Sequence, residues 1–150
     1  MNKIIPILLA VLLLCCPESF AQRKSVDFND GWNLRPALHT GSKTPPSVPV
    51  TLPHTWNVAD VLETRDYLRT TMLYFKDFSL DETEIAGKRV FLYFEGVNSV
   101  ATVFVNRKFI GEHHGGYTAF CVEITDNVVA GDNSVEVMVS NAFRTDVAPV

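Results

Sequence analysis

The sequence predicts an all-β fold, a sandwich of the jelly-roll kind, and three observations carry that prediction. Short runs of bulky apolar residues are separated by turn signals such as Asp30-Gly31 and Ala130-Gly131-Asp132-Asn133. Toward the C-terminus the apolar residues alternate strictly: Phe120, Val122 and Ile124 against Cys121 and Glu123, then Val135, Val137 and Val139 against Glu136 and Met138. A period of two is the pattern of strands with one buried face. No amphipathic helix of ordinary length and no fixed-period repeat is visible, so the strands must cover one another.

The stretch from Val90 to Phe120 organises the rest. It reads as a strand over Val90 to Phe94, a break at Glu95-Gly96-Val97, and a second strand through Ala101, Val103 and Val105. A tight turn near Asn106 and a Gly-rich loop at Gly115 and Gly116 follow. Val90, Leu92 and Phe94 alternate with Phe91 and Tyr93, so the first strand is expected to be covered on both faces, at the centre of the structure.

The N-terminus reads as a signal peptide over residues 1–22, with Lys3, an apolar run from Ile4 to Leu14, and small residues around Ala21. The run is too short to span a membrane, which takes about 20 residues. Cleavage after Ala21 implies an exported protein, periplasmic or secreted; a lipid anchor at Cys16 is the lesser alternative, because Cys15 and not a small residue precedes it. Residues 23–150 then form one domain, expected to be incomplete at its C-terminus. Of the three cysteines only Cys121 would remain, so the domain must be held by its core rather than by disulfides.

Along the mature chain, Phe28 and Trp32 flank Asp30-Gly31 and read as core anchors of an opening β segment. From His39 to Pro53 the chain reads as irregular, with Pro45, Pro46, Pro49 and Pro53 fixing an extended surface path. That path delivers Leu52-Pro53-His54-Thr55-Trp56-Asn57, a polar cluster on a constrained loop of the kind that binding sites use. Val58 to Leu62 fits one helical turn, Leu73 to Leu80 a strand packed through Tyr74, Phe75 and Phe78, and Asp81 to Glu84 a solvated turn.

Several function classes are excluded. The net charge is −4, and Lys and Arg are scattered singly, which leaves no concentrated positive surface for nucleic acid. His113 and His114 are adjacent on a strand and point to opposite faces, and His39 and His54 are far away in sequence, so no metal site is expected. No Gly-x-Ser-x-Gly elbow is present, and Cys121 lies in a regular strand. No cofactor is implied.

The ordered motifs carry a resemblance. Phe28 with Gly31-Trp32, LPHTWN at Leu52 to Asn57, FEGV at Phe94 to Val97, VFVN at Val103 to Asn106, GGYTAF at Gly115 to Phe120 and GDNSVEVMVSN at Gly131 to Asn141 occur in one order. Together they resemble the N-terminal sugar-binding domain of glycoside hydrolase family 2, a galactose-binding-domain-like jelly roll, and among its members most of all the β-galactosidases. Two departures stand out. Asn106-Arg107 replaces the usual Asn-Gly, and Tyr67-Leu68-Arg69-Thr70-Thr71-Met72-Leu73-Tyr74 keeps the arginine and the final tyrosine of the family's Tyr-Arg-Gly…Trp-Tyr pattern but not its glycine and tryptophan.

The resemblance implies a retaining glycosidase that uses two glutamates about 5 Å apart. In the family both lie in a barrel that follows two β-sandwich domains, so no catalytic residue is expected in this chain; Glu95 and Glu112 read as structural or solvated carboxylates. The domain's share is to cover the barrel's mouth and lend polar groups to the substrate, with Thr55, Asn57 and Asp60 as the candidates. Trp32, Trp56, Gly115, Gly116 and Tyr117 are the structural members of the motif set. The expected partner is a carbohydrate, a β-galactoside or related glycoside, with no nucleic acid, no membrane span and the possibility of an oligomer. The alternative is a free-standing, non-catalytic carbohydrate-binding module.

Overall fold

A computed structural model describes residues 23–37, 44–63 and 67–147, without the side chains of 59–61. The expected signal peptide, Cys15, Cys16 and His39 fall outside the described residues. Eight strands carry the fold: β1 (Trp32–Pro36), β2 (Val48–Val50), β3 (Thr71–Leu80), β4 (Phe91–Phe94), β5 (Val100–Val105), β6 (Lys108–His114), β7 (Phe120–Glu123) and β8 (Gly131–Ser140). Two short helices accompany them, α1 (Val58–Glu63) and α2 (Glu82–Ile85). Every strand pair is antiparallel, in a six-stranded sheet ordered β2-β1-β3-β8-β5-β6 and a two-stranded sheet of β4 and β7.

The large sheet is built on β3 and β8, which pair along their full lengths from Thr71↔Ser140 to Leu80↔Gly131. Their inward residues join those of β5 in a core of Leu34, Tyr74, Ala101, Val103, Val105, Val135, Val137 and Val139. Short β-branched side chains dominate here because they fill the pleated surface at close spacing without losing much rotamer freedom. Ile124, just after β7, closes the core from the other sheet at 1 % exposure. Trp32 is buried as expected, and its indole N–H donates to Phe28 O at 2.7 Å, so the buried polar atom is satisfied.

The hairpin between β5 and β6 turns at Asn106 and Arg107, with φ of 49° and 65°. Two consecutive positive φ values are what a two-residue hairpin needs to match strand twist. Arg107 occupies a position where glycine is the unstrained choice. The turn is held by Asn106, whose side chain accepts from Ser134 N (2.8 Å) and donates to Asn127 O (2.8 Å) and Asn133 Oδ1 (2.9 Å). Asn133, 4 % exposed, in turn accepts from Val129 N and donates to Val129 O and Gly131 O.

Three expectations are corrected. The strand over Val90 to Phe94 is not central: β4 pairs with β7 alone, and Phe91 and Tyr93 are 44 % and 59 % exposed on the outer face. The apolar character of that face comes from large aromatics that tolerate exposure, with the Arg89 guanidinium stacked 4.9 Å from the Phe91 ring centroid. The stretch from His39 to Pro53 is not wholly irregular, because Val48–Val50 forms β2 despite Pro49; at the sheet's edge a strand tolerates a missing N–H. Asp81 to Glu84 is more than a turn: α2 begins there, with Glu84 N donating to Asp81 O and Asp81 N to Glu84 Oε2.

Candidate functional site

The glycine loop and the segments flanking β3, β5 and β8 gather at one end of the large sheet. Its last paired rows there run Pro36–Met72–Val139–Ala101–His113 and Thr71–Ser140–Val100–His114. Residues 67–70 before β3, Asn98-Ser99 before β5, Gly115 to Tyr117 after β6 and Ala142 to Val147 after β8 leave these rows. The Leu52 to Asn57 loop instead leaves β2 beyond the Trp32–Val50 row, where Leu52 N donates to Asn29 O, and crosses back over the sheet to Tyr74.

The Leu52 to Asn57 loop packs on β3 through two rings. His54 Nδ1 and Tyr74 Oη lie 3.0 Å apart, and the Trp56 ring sits 6.3 Å from that of Tyr74. Burial pushes the Tyr74 hydroxyl up to about 12, so it remains a neutral partner for His54 at any physiological pH. With these two rings fixed, Thr55 is exposed at the loop's crest while Asn57 is turned inward at 3 % exposure. Among the described residues neither Asn57 Nδ2 nor Trp56 Nε1 has a hydrogen-bond partner, although both atoms are buried. Asp60 lies within α1, and its side chain is outside the described residues. Beside the loop an open groove of about 580 Å³ is lined by Leu34, Val48, His54, Trp56, Leu62 and Met72, among others.

On the opposite side of the sheet the glycine loop is packed for a different reason. A side chain at Gly116 would meet Asn98 Oδ1 at 2.6 Å, and Gly115, at φ 119°, donates its N–H to Ser99 O at 2.8 Å. The glycines let the loop after β6 lie directly on the segment before β5. Tyr117 at its tip is 80 % exposed. The Leu52 to Asn57 loop packs on β3, and the glycine loop follows β6, three spacings away in the sheet or about 15 Å. Thr55 and Tyr117 therefore belong to separate loops rather than one pocket.

The carboxylates behave as structural groups. Glu112 accepts from Thr102 Oγ1 at 3.1 Å and pairs with His114, and these contacts, His114 first, hold its carboxyl below the ordinary 4.5. Such a group is ionised at neutral pH and unsuited to protonate a leaving group. Glu95 is exposed. Among the described residues no three His, Cys, Asp or Glu side chains are grouped to hold a metal ion, and no helix is long and apolar enough to cross a membrane.

Sequence reasoning left one cluster at this end unassigned. Arg69 lies between the rings of Tyr67 and Phe143, 5.7 Å and 5.8 Å from their centroids. The arginine was visible as a retained motif position, but nothing local in the sequence joins it to Phe143.

Residues 20–147 match the family described as glycosyl hydrolases family 2, sugar binding domain. A β-glucuronidase of Bacteroides fragilis is 45 % identical over 141 residues, 93 % of this chain and 20 % of its own length. A β-galactosidase of Thermoanaerobacter pseudethanolicus is 43 % identical over a shorter stretch of 86 residues, 56 % of this chain and 11 % of its own length. Among solved structures, a Bacteroides uniformis β-glucuronidase superposes with a TM-score of 0.76 at 32 % identity, covering 86 % of this chain and 16 % of that one. The expected leaning toward β-galactosidases is thus corrected, since at similar identity the likeness to a β-glucuronidase runs over far more of the chain. The chain spans about a fifth of the length of the B. fragilis relative. It belongs to glycosyl hydrolase family 2, as the sugar-binding domain of that family.

Proposed function

We propose that this chain is the exported N-terminal sugar-binding domain of a β-glucuronidase-like retaining glycosidase, folded as a jelly roll. The observation that supports it is the 45 % identity to a β-glucuronidase over 93 % of the chain. In this reading the catalytic glutamates lie in a barrel beyond the described residues, and the domain lends polar contacts from the Leu52 to Asn57 loop. Thr55 offers an exposed hydroxyl, and Asn57 a buried amide N–H with no partner among the described residues. A buried donor left unpaired costs roughly 1–3 kcal/mol, a penalty that a sugar hydroxyl or bound water would relieve. Asp60, two residues into α1, is the third candidate.

The test is a chimera in which residues 23–147 replace the matching region of the B. fragilis β-glucuronidase. The reading expects hydrolysis of an aryl β-glucuronide well above that of the aryl β-galactoside. A folded chimera with no glucuronide turnover, or with galactoside preferred, would overturn it. N-terminal sequencing of the exported product checks the leader: Gln22 as first residue supports cleavage after Ala21, and a lipidated Cys16 rejects it.

A further inference from the structure

We infer that Tyr67, Arg69 and Phe143 form a second carbohydrate platform, one that takes a pyranose bearing a carboxylate. The inference rests on the carbohydrate reading above but on different residues. Tyr67 and Phe143 are 44 % and 61 % exposed, and the Arg69 guanidinium carbon lies 5.7 Å and 5.8 Å from their ring centroids. A guanidinium held near aromatic rings keeps N–H donors that can reach a ligand. Among the described residues no carboxylate lies within ion-pair distance of Arg69, whereas Arg89 is neutralised by Glu123 and Arg144 by Asp146. Arg69 is therefore a cation without an anion partner among the described residues, set beside exposed aromatic surface.

The backbone beneath it is rigid. Asn141, 6 % exposed, accepts from Thr70 N at 2.7 Å, donates through Nδ2 to Leu68 O at 2.8 Å, and donates its own N–H to Thr70 O at 3.2 Å. One buried side chain thus ties the segment that carries Tyr67 and Arg69 to the end of β8, two residues before Phe143. A platform held in place loses little entropy on binding. Exposed rings suit the C–H faces of a pyranose, and the guanidinium edge matches a carboxylate in two parallel hydrogen bonds. A neutral sugar would use the rings alone. The platform lies at one end of the sheet, where residues 67–70 lead into β3 and the chain leaves β8.

The experiment is calorimetric titration of the full chain at low salt with methyl β-D-glucuronide and methyl β-D-glucoside, which differ only at C6. The expected result is a Kd about tenfold lower for the glucuronide. Arg69→Ala should abolish that difference, Arg69→Lys keep part of it, and Phe143→Ala weaken both ligands alike. A Thr55→Ala chain should retain the tenfold difference, which separates this platform from the loop: failure of the chimera leaves the difference standing, and loss of the difference leaves the chimera's turnover standing. Equal affinity for the two glycosides, no binding of either, an Arg69→Ala chain that still discriminates, or variants that change only self-association would each overturn the inference.

Discussion

The pair β5–β8 and the pair β4–β7 are written in nearly the same alphabet and end in different environments. On β5, Ala101, Val103 and Val105 are fully buried, and β8 and β6 flank the strand on either side. On β4, Leu92 and Phe94 face the core, while Phe91 and Tyr93 face out and only β7 is paired. The difference is a matter of neighbours, not of composition. A strand becomes central when long-range pairing supplies partners on both edges and a layer on its face, and no property of its own residues decides that. Small β-branched residues mark the strand that is enclosed; large aromatics mark the one that also presents a surface.

The largest effect that sharpens this contrast is a pair of truncations. Ile124→Ala should destabilise the domain by about 2–5 kcal/mol, because its side chain is 1 % exposed and leaves a cavity between the sheets. Phe91→Ala, on the outer face, should cost below about 1 kcal/mol despite removing a larger side chain. Equal losses in urea unfolding would show that the outer face of β4 is as enclosed as the core, and the contrast would fail.

Next in size is the asparagine clasp that closes the β5–β6 turn onto β8. Asn133→Ala strips partners from Asn106 Nδ2, Val129 N, Val129 O and Gly131 O at once, and should cost about 2–3 kcal/mol. Asn133→Asp keeps the acceptor and loses the donor, so an intermediate loss is expected. An Asn133→Ala chain as stable as the parent would mean that water replaces the clasp.

A smaller change of opposite sign is expected at the same turn. Arg107→Gly removes the strain of a side chain at φ 65° and should stabilise by about 1 kcal/mol, seen as a higher melting temperature. A lower melting temperature would show that the Arg107 side chain makes up for its backbone.

The smallest effect lies on the two-stranded sheet and is read by pH. Glu123 accepts from Arg89 Nε at 2.9 Å and from Thr125 Oγ1 at 2.8 Å, and these bonds, Arg89 first, hold its carboxyl at about 2 against the ordinary 4.5. A carboxyl with a lowered folded-state pKa contributes stability that is present above 4.5 and is lost as pH falls from there toward 2. The pair is exposed, so the effect should be small and screened by salt. Glu123→Gln should flatten the acid limb of the stability profile slightly; an unchanged limb would show that the ion pair contributes nothing in solution.

What was legible in the sequence divides along the same line. The alternation in Val135 to Val139 and Phe120 to Ile124 gave the faces of β8 and β7 correctly, since one-sided burial writes a period of two into the residues themselves. The burial of Trp32 and the turn at Asn106 were also legible, because a large amphipathic ring and an asparagine before a reversal carry local physical reasons. The pairing of β4 and the existence of β2 were not, since an edge strand with Pro49 lacks any local mark of pairing. At the candidate site the Leu52 to Asn57 loop was visible from its prolines and polar cluster. That Thr55 faces out while Asn57 faces in follows from the contacts of His54 and Trp56 with Tyr74, about twenty residues on, and Arg69 meets Phe143 only because β3 and β8 pair.

Kinetics of the chimera with the B. fragilis β-glucuronidase test most directly the proposal that this family 2 domain lends sugar contacts from its Leu52 to Asn57 loop. Asn57→Ala in the chimera should lower kcat/KM for an aryl β-glucuronide by at least about tenfold, the loss of roughly one good hydrogen bond in the transition state, with thermal unfolding of the chimera little changed. An Asn57→Ala chimera with unaltered kcat/KM, or one whose lost activity is matched by a collapsed melting temperature and restored on cooling, would contradict a sugar-contacting role and leave the loop a purely structural element.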